Sequence, residues 1–320
     1  MDSAVVKRRV LKSLLLGTPG FLFLTYAAVR RAGMWRLYKP VCLAETQALR
    51  DVPYWDSDHP KHRLDLFVPT GANWPVLVFI HGGGLDSGDK ALRVCGRDVY
   101  GNIGRFYACR GIGVAVINYR LQPQVTWREQ VHDAARAVAW VHAHVGKFGG
   151  DAARLFAAGH SAGAYLAARV ALDPAPLARL GLSRSIISGV ITVSGAALDL
   201  TDARTYELGA KLRQYAKRFQ CGDPTENWKR EASPVAHAAA GAPPFLVMYA
   251  SGEARCLQRQ SQLLHEALQR NRVPSELVVV PGQSHRRIVL SLSRPDAVAS
   301  VAILRFIEHK GRANSESEAA

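Results

Sequence analysis

The stretch 155–168, Leu-Phe-Ala-Ala-Gly-His-Ser-Ala-Gly-Ala-Tyr-Leu-Ala-Ala, decides the fold of this chain. It begins with a short apolar run typical of a buried strand and continues with residues that favour a helix. Between them lies Gly159-His160-Ser161-Ala162-Gly163, a G-x-S-x-G pattern. A turn this sharp needs its glycines, because a Cβ there would clash with the neighbouring strand or helix. It presents the Ser161 hydroxyl at a helix N-terminus, where developing negative charge is favoured.

On both sides of this stretch, apolar runs as long as strands alternate with segments of helical periodicity. The predicted strands are 64–68, 76–80, 114–117, 190–193, 245–249 and 277–280, and the predicted helices are 98–109, 127–145, 256–269 and 298–307. This alternation predicts an α/β fold with a mostly parallel central sheet and helices on both faces. We expect residues 196–243 to be a small helical insertion and residues 40–60 to be an irregular lead-in.

Length, charge and cysteine content limit the classes of protein. The 320 residues fit one large domain, and the five cysteines form no C-x-x-C pair, so neither a zinc site nor a disulfide framework is indicated. The formal net charge is +15. No basic run is interleaved with aromatic residues, so we expect no nucleic-acid partner. An anionic membrane surface explains the charge better, and an arginine-rich coding bias is the alternative.

Residues 1–40 are predicted to be a hydrophobic signal or membrane anchor with basic flanks. Residues 13–29 carry no charge and are mostly Leu, Phe, Ala and Val. This run is short for a spanning helix, which needs about 20 apolar residues, and long for a signal-peptide core of about 7–15. We expect an exported or membrane-associated protein, and otherwise a cytoplasmic one with this segment packed on the domain. The domain itself is predicted at 41–310, with a disordered tail at 311–320.

A serine nucleophile needs a base, a carboxylate that orients the base, and donors for an oxyanion. After a G-x-S-x-G turn of this kind, the acid comes next in the chain and the histidine last. His285 directly follows the predicted strand 277–280, at the same sheet edge as Ser161, and is the expected base. The other downstream histidines lie in the insertion or within helices: His237, His265 and His309.

The expected acid is Glu253, because it follows the predicted strand 245–249. Its rival is Asp199, which follows the strand 190–193 and is otherwise a loop or helix-cap residue. The expected oxyanion donors are the backbone N–H groups of Gly83, Gly84 and Ala162. Glycines after a strand allow main-chain N–H groups to face a substrate with no side chain in the way. His81, which opens the glycine run, is expected to brace this loop without titrating in catalysis.

These motifs resemble those of α/β-hydrolase esterases, in the branch that holds carboxylesterases, kynurenine formamidases and prenylcysteine methylesterases. The likeness covers roughly residues 50–308. It is carried by Phe-Ile-His-Gly-Gly-Gly at 79–84, Asn-Tyr-Arg-Leu at 118–121, Phe-Gly-Gly-Asp at 148–151, Gly-His-Ser-Ala-Gly at 159–163, Ser-Pro-Val at 233–235, Ala-Pro-Pro-Phe at 242–245, and Ser-Gly-Glu at 251–253 followed by Gln-Ser at 260–261. By similarity, the catalytic residues fall on Ser161, Glu253 and His285, and no cofactor or metal is implied.

The chain departs from the family pattern at three positions. Leu85 stands where tryptophan commonly follows the glycine run, Glu253 replaces the usual aspartate, and Ser284 precedes the histidine where aspartate is frequent. These departures concern acyl specificity more than fold.

The resemblance implies a serine hydrolase that cleaves short- to medium-chain esters of small molecules through an acyl-enzyme on Ser161. An arylformamidase acting on N-formylkynurenine-type amides would use the same groups, so it stays as an alternative. A membrane-tethered, non-catalytic protein of this fold is the other. The residues leave the oligomeric state open.

Overall fold

The computed structural model describes residues 38–41, 47–94, 96–220 and 227–318. The chain divides into two units, Met1–Lys39 and Pro40–Ala320, and the fold below is that of the second. Residues 1–37, which make up most of the predicted signal or membrane anchor at 1–40, lie outside the described residues. Within the described ranges, no helix has both the length and the apolar character needed to cross a membrane.

Strands and helices alternate along the domain. The strands are β1 (Gln47–Pro53), β2 (Arg63–Val68), β3 (Trp74–Ile80), β4 (Arg93–Val94), β5 (Arg97–Asp98), β6 (Gly113–Ile117), β7 (Gly150–His160), β8 (Ile187–Val193), β9 (Phe245–Ala250) and β10 (Ser275–Val280). The helices are α1 (Val99–Ala108), α2 (Trp127–His144), α3 (Ala162–Leu172), α4 (Ala175–Ala178), α5 (Ala203–Leu208), α6 (Ala210–Gln220), α7 (Asn227–Ala232), α8 (Arg255–Arg270), α9 (Ile288–Ser291) and α10 (Val298–Glu318).

Within the described part of the chain, the central sheet has eight strands in the order β1-β2-β6-β3-β7-β8-β9-β10, and β4 and β5 form a separate small hairpin. From β6 to β10 every neighbouring pair is parallel, whereas β2 runs antiparallel to both β1 and β6. The mostly parallel sheet predicted from the sequence is confirmed. The carboxyl ends of its parallel strands meet along one edge, where loops after β3, β7, β9 and β10 come together.

Helices cover both faces of this sheet. The even-numbered residues of β3 belong to an apolar layer that includes side chains of α2 and α3. On the opposite face, Phe79 of β3 lies against Tyr100 of α1, with ring centroids 5.7 Å apart, and Phe156 of β7 lies against Phe306 of α10 at 6.1 Å. Burial on both faces explains why the central strands are continuous apolar runs in the sequence.

Two expectations about the ends of the domain differ from the structure. Residues 40–60, expected to be irregular, contain β1, which pairs with β2. Residues 311–318, expected to be disordered, continue the helix α10 to Glu318.

The helical insertion predicted at 196–243 contains α5, α6 and α7. Its α6 end is fixed to the domain, because the indole N–H of Trp127 donates to the carbonyl of Phe219 at 3.0 Å and the Phe219 ring is fully buried.

Candidate active site

Ser161 occupies the turn between β7 and α3 in a strained backbone conformation. Its φ of 56° and ψ of −116° lie outside the regions that L-residues favour. The turn is also tight: a Cβ on Gly159 would lie 2.2 Å from the backbone of Gly163, and a Cβ on Gly163 would lie 2.1 Å from the carbonyl oxygen of Ile80. Strain of this kind costs on the order of 1–3 kcal/mol and is concentrated at functional sites.

The structure brings Ser161, His285 and Glu253 into one hydrogen-bonded line. Oγ of Ser161 lies 2.9 Å from Nε2 of His285, and Nδ1 of His285 lies 2.8 Å from Oε2 of Glu253. A carboxylate only accepts, so Nδ1 carries the proton and Nε2 has its lone pair directed at the serine hydroxyl. This is the tautomer that a general base requires.

The loops that carry the acid and the histidine are tied to each other. The backbone N–H of Gly252 donates to the carbonyl of Gln283 at 2.9 Å, and the N–H of Gly282 donates to Oγ of Ser251 at 3.1 Å. The side chain of Glu253 is fully buried, whereas that of His285 keeps 26% of its exposure. A buried acid and a partly open base suit a site where the base must reach a substrate.

Asp199, the rival for the acid, is engaged elsewhere. Its Oδ1 accepts from the backbone N–H and the hydroxyl of Thr201, at 2.8 and 2.6 Å. Its own backbone N–H and carbonyl are both bonded to the side chain of Gln260. Asp199 therefore acts as a loop residue, as in the alternative interpretation of that position.

The other histidines considered lie away from Ser161. Nδ1 of His265 lies 3.0 Å from the hydroxyl of Ser275, at the amino end of β10, and Nε2 of His237 donates to the carbonyl of Glu231. His309 lies within α10.

The glycine-rich loop 81–84 is held in place by hydrogen bonds that its carbonyl oxygens accept. The donors to these oxygens are, in chain order, the hydroxyl of Tyr119, Nδ1 of His81, the N–H and hydroxyl of Ser87, and the guanidinium of Arg218. Among the described residues, the N–H groups of Gly83, Gly84 and Ala162 make no hydrogen bond. The loop thus has its acceptors occupied and its predicted oxyanion donors available.

His81 and Tyr100 brace this loop as neutral groups. Burial lowers the pKa of His81 to about 4, and the ring stacks on Tyr119 with centroids 4.5 Å apart. Burial raises the pKa of Tyr100 to about 12, and its hydroxyl accepts from the N–H of Gly82 at 3.1 Å. The role predicted for His81, bracing without titration, agrees with this geometry.

Two residues at the site, His160 and Arg218, were missed by the sequence interpretation. Nε2 of His160 lies 2.7 Å from the carbonyl oxygen of His285. Arg218, in the insertion, donates to the carbonyl of Gly84 and forms an ion pair with Asp86. The motif position of His160 could have directed attention to it, but nothing local marks Arg218, because its contact depends on how the insertion folds.

A comparison of the sequence with models of known protein families identifies the family of this chain. The BD-FAE model matches residues 64–268, which include Ser161 and Glu253. The chain belongs to the BD-FAE family. This is an α/β-hydrolase esterase family, and the resemblance drawn from the motifs is therefore confirmed.

Two proteins of similar sequence are named as esterases. Esterase LipC of Mycobacterium tuberculosis is 30% identical over 274 residues, which are 82% of this chain and 66% of LipC. Isoprenylcysteine alpha-carbonyl methylesterase ICME of Arabidopsis thaliana is 30% identical over 259 residues, which are 76% of this chain and 58% of ICME. The chain thus spans between about half and two thirds of the length of these relatives.

The fold has solved counterparts. Esterase B of Lactobacillus rhamnosis superposes with a TM-score of 0.75 at 21% identity, covering 93% of this chain and 97% of that one. This match establishes the α/β-hydrolase fold.

Proposed function

We propose that this protein is a serine hydrolase that cleaves carboxylic esters of small molecules. The observation that carries the proposal is the line from Ser161 through His285 to Glu253, beside the backbone N–H groups of Gly83 and Gly84, which make no hydrogen bond among the described residues. Such a line supplies a nucleophile, a base and an orienting carboxylate, and the loop supplies stabilisation for an oxyanion. The esterase names of the relatives agree with this chemistry.

In the first half of the proposed reaction, Nε2 of His285 takes the proton of Ser161 as Oγ attacks the ester carbonyl carbon. The carbonyl oxygen becomes an oxyanion and accepts hydrogen bonds from the N–H groups of Gly83, Gly84 and Ala162. Glu253 faces the positive charge that forms on His285. The imidazolium then gives its proton to the departing alkoxide, so an alcohol leaves and an acyl-serine remains.

In the second half, His285 takes a proton from a water molecule, which attacks the acyl carbon through the same oxyanion arrangement. The bond to Oγ breaks, His285 returns the proton to Ser161, and the carboxylic acid leaves. The 26% exposure of the His285 side chain supports this step, because water must approach Nε2.

The acyl group that we propose is of short to medium length. The insertion limits the space beside the oxyanion loop: a Cβ built on Gly84 would lie 2.7 Å from the Arg218 guanidinium and 3.8 Å from the ring of Tyr215. We propose that Arg218 and Tyr215 border the acyl group on this side and thereby favour compact acyl groups over long chains.

The test uses wild type and Ser161→Ala with 4-nitrophenyl esters from acetate to laurate, N-formylkynurenine, and a fluorophosphonate probe. We expect ester hydrolysis that falls with the longer chains, labelling of wild type, and loss of both in Ser161→Ala with unchanged far-ultraviolet circular dichroism. Faster turnover of the formamide than of any ester would assign the protein to the arylformamidases. Labelling and hydrolysis retained in Ser161→Ala would move the nucleophile elsewhere.

For localisation, we propose export or association with a membrane surface through residues 1–40, on the basis of their apolar run and basic flanks. A reporter fused to residues 1–40 tests this by cell fractionation. A fully soluble cytoplasmic reporter would reject it.

A further inference from the structure

The imidazole of His160 lies between the loops that carry the other parts of the site. One edge faces the loop after β10, where Nε2 lies 2.7 Å from the carbonyl oxygen of His285, and the two histidine rings are 4.9 Å apart between centroids. The other edge faces the oxyanion loop: a Cβ on Gly82 would lie 2.8 Å from Nδ1 of His160. His160 is also the chain neighbour of Ser161, so its side chain lies close to three parts of the site.

The protonation state of this ring follows from its contacts. A carbonyl oxygen only accepts, so Nε2 of His160 carries the proton and donates to His285. Burial, and then the neighbouring His285, lower the pKa of His160 to about 3, so the ring is neutral at ordinary pH. A neutral ring adds no positive charge next to the imidazolium that His285 becomes during acylation.

The hydrogen bond from His160 completes the fixation of the His285 loop. On one side, that loop is tied to the acid-bearing loop through Gln283 and Gly282. On the other side, Nε2 of His160 makes the hydrogen bond that the described residues provide to the backbone of His285 itself. Without it, the carbonyl of His285 would lose its partner and the imidazole could shift relative to Oγ of Ser161.

We propose that His160 is a positioning residue: its Nε2–H fixes the backbone of His285 and thereby the distance between the base and the nucleophile. The inference rests on the proposed function for its kinetic consequence. It predicts a loss in kcat with little change in KM, because the distance between Nε2 and Oγ matters in bond-making and not in ester binding.

The experiment compares His160→Gln, His160→Met and His160→Phe. The amide nitrogen of Gln is the same number of bonds from Cβ as Nε2 of His, so Gln restores a donor. Met has a similar length without a donor, and Phe keeps a ring without a donor. We expect kcat within about threefold of wild type for Gln, and a fall of about 10- to 100-fold for Met and Phe with KM nearly unchanged. Either donor-free variant suffices if the other does not fold.

The matched control is His265→Met. It removes another histidine, bonded to Ser275 at the amino ends of the strands, opposite the site. We expect its kcat to equal that of wild type, which separates a positional effect from general loss of a histidine.

A second measurement is independent of turnover. The proton on Nδ1 of His285, which is bonded to Glu253, should give a low-field NMR signal in wild type and in His160→Gln. We expect this signal to shift or broaden in His160→Met and His160→Phe. Wild-type kcat and an unchanged signal in a folded donor-free variant would overturn the inference, as would equal losses in Gln and Met. If wild type neither hydrolyses esters nor labels, the proposed function fails, while the NMR comparison still decides the positioning.

Discussion

Oε2 of Glu253 accepts from Nδ1 of His285 at 2.8 Å, while Oε1 of the same buried carboxylate has no hydrogen-bond partner among the described residues. A buried acceptor without a partner costs about 1–3 kcal/mol. The carboxylate is therefore held in an unfavourable environment, with the histidine as its described side-chain partner. This free-energy cost is consistent with the proposed role of Glu253, which is to orient His285.

Glu253→Gln should lower kcat by about 10³- to 10⁴-fold, because an amide N–H₂ facing Nδ1 of His285 stabilises the tautomer whose Nε2 carries the proton and is unable to take another. The shape of the side chain is retained, so we expect a similar urea midpoint. Steady-state hydrolysis of 4-nitrophenyl butyrate, corrected for the folded fraction, measures the effect.

Asp199→Asn is the matched control for that substitution. Asp199 bonds Thr201 in its own loop and makes no described contact with His285. We expect kcat within about twofold of wild type, since a loop hydrogen bond contributes to stability at the level of about 1 kcal/mol. A large loss in Asp199→Asn together with a small one in Glu253→Gln would reassign the acid.

Gly83→Ala should reduce kcat by at least about 100-fold, because the proposed oxyanion arrangement would lose a donor and such a loss typically costs this much. Gly83 has a φ of 133°, and its Cβ would lie 2.0 Å from the carbonyl oxygen of Ser87, so the loop must move and carry its N–H groups away from the oxyanion position. Assays of kcat and KM over the ester series measure the loss.

The control for Gly83 is Gly71→Ala. Gly71 also has a positive φ, 81°, but a Cβ there would meet no atom within 4 Å. Alanine should cost stability of about 1–2 kcal/mol from the left-handed conformation alone and leave kcat unchanged. Equal losses of kcat in both variants would mean that backbone strain, and not the oxyanion loop, limits turnover.

The central strands could be predicted because they are buried on both faces and are therefore apolar along their whole length. The strand β1 could not. Its residues are exposed or half-buried, and it ends in a proline, so neither apolar alternation nor a continuous apolar run marks it. It exists because the edge of β2 offers it hydrogen bonds, and that edge is defined only once the sheet has formed.

The candidate site also has residues that could be predicted from the sequence and residues that could not. Ser161, Glu253 and His285 each follow a strand, and a parallel sheet brings such positions to one edge. The tie from His160 to the backbone of His285 joins residues far apart in the chain, and the contact of Arg218 with Gly84 depends on the path of the insertion. Neither leaves a local pattern of hydrophobicity or spacing.

Stability should fall on acidification below about pH 6.5, because His81 and His160 are buried as neutral rings. Burial lowers their pKa values in the native state to about 4 and about 3, whereas both groups in the unfolded chain take up protons near 6.5. Above 6.5 both states are neutral and this contribution is fully present. As the pH falls from 6.5 towards 4, the unfolded state binds more protons and is favoured, by up to about 1.4 kcal/mol per pH unit for each group.

Urea unfolding at pH 7, 6 and 5 measures this slope in wild type and in His160→Gln. The variant should lose less stability per pH unit, since Gln does not titrate. Carboxylates are protonated at lower pH and affect both proteins alike in this window. Parallel slopes in the two proteins would contradict the neutral, buried state of His160.

Lys90→Met should destabilise the fold by about 3 kcal/mol, because it leaves a buried carboxylate short of a partner. The Lys90 side chain is 4% exposed, and its Nζ lies 2.6 Å from both Asp65, which is 2% exposed, and Asp51. Burial lowers the pKa of Lys90, but its hydrogen bonds to the two aspartates outweigh this and raise it overall, so the lysine stays protonated at neutral pH. Arg50 still contacts Asp65 in the variant and moderates the loss.

The comparison is Arg128→Met, whose partner Glu231 lies 2.5 Å away at the surface, with the two side chains 41% and 46% exposed. That change should cost less than about 1 kcal/mol, because solvent and salt screen the pair. Urea midpoints at pH 7 measure both, and equal losses would mean that the Lys90 pair gains no more from burial than an exposed pair does.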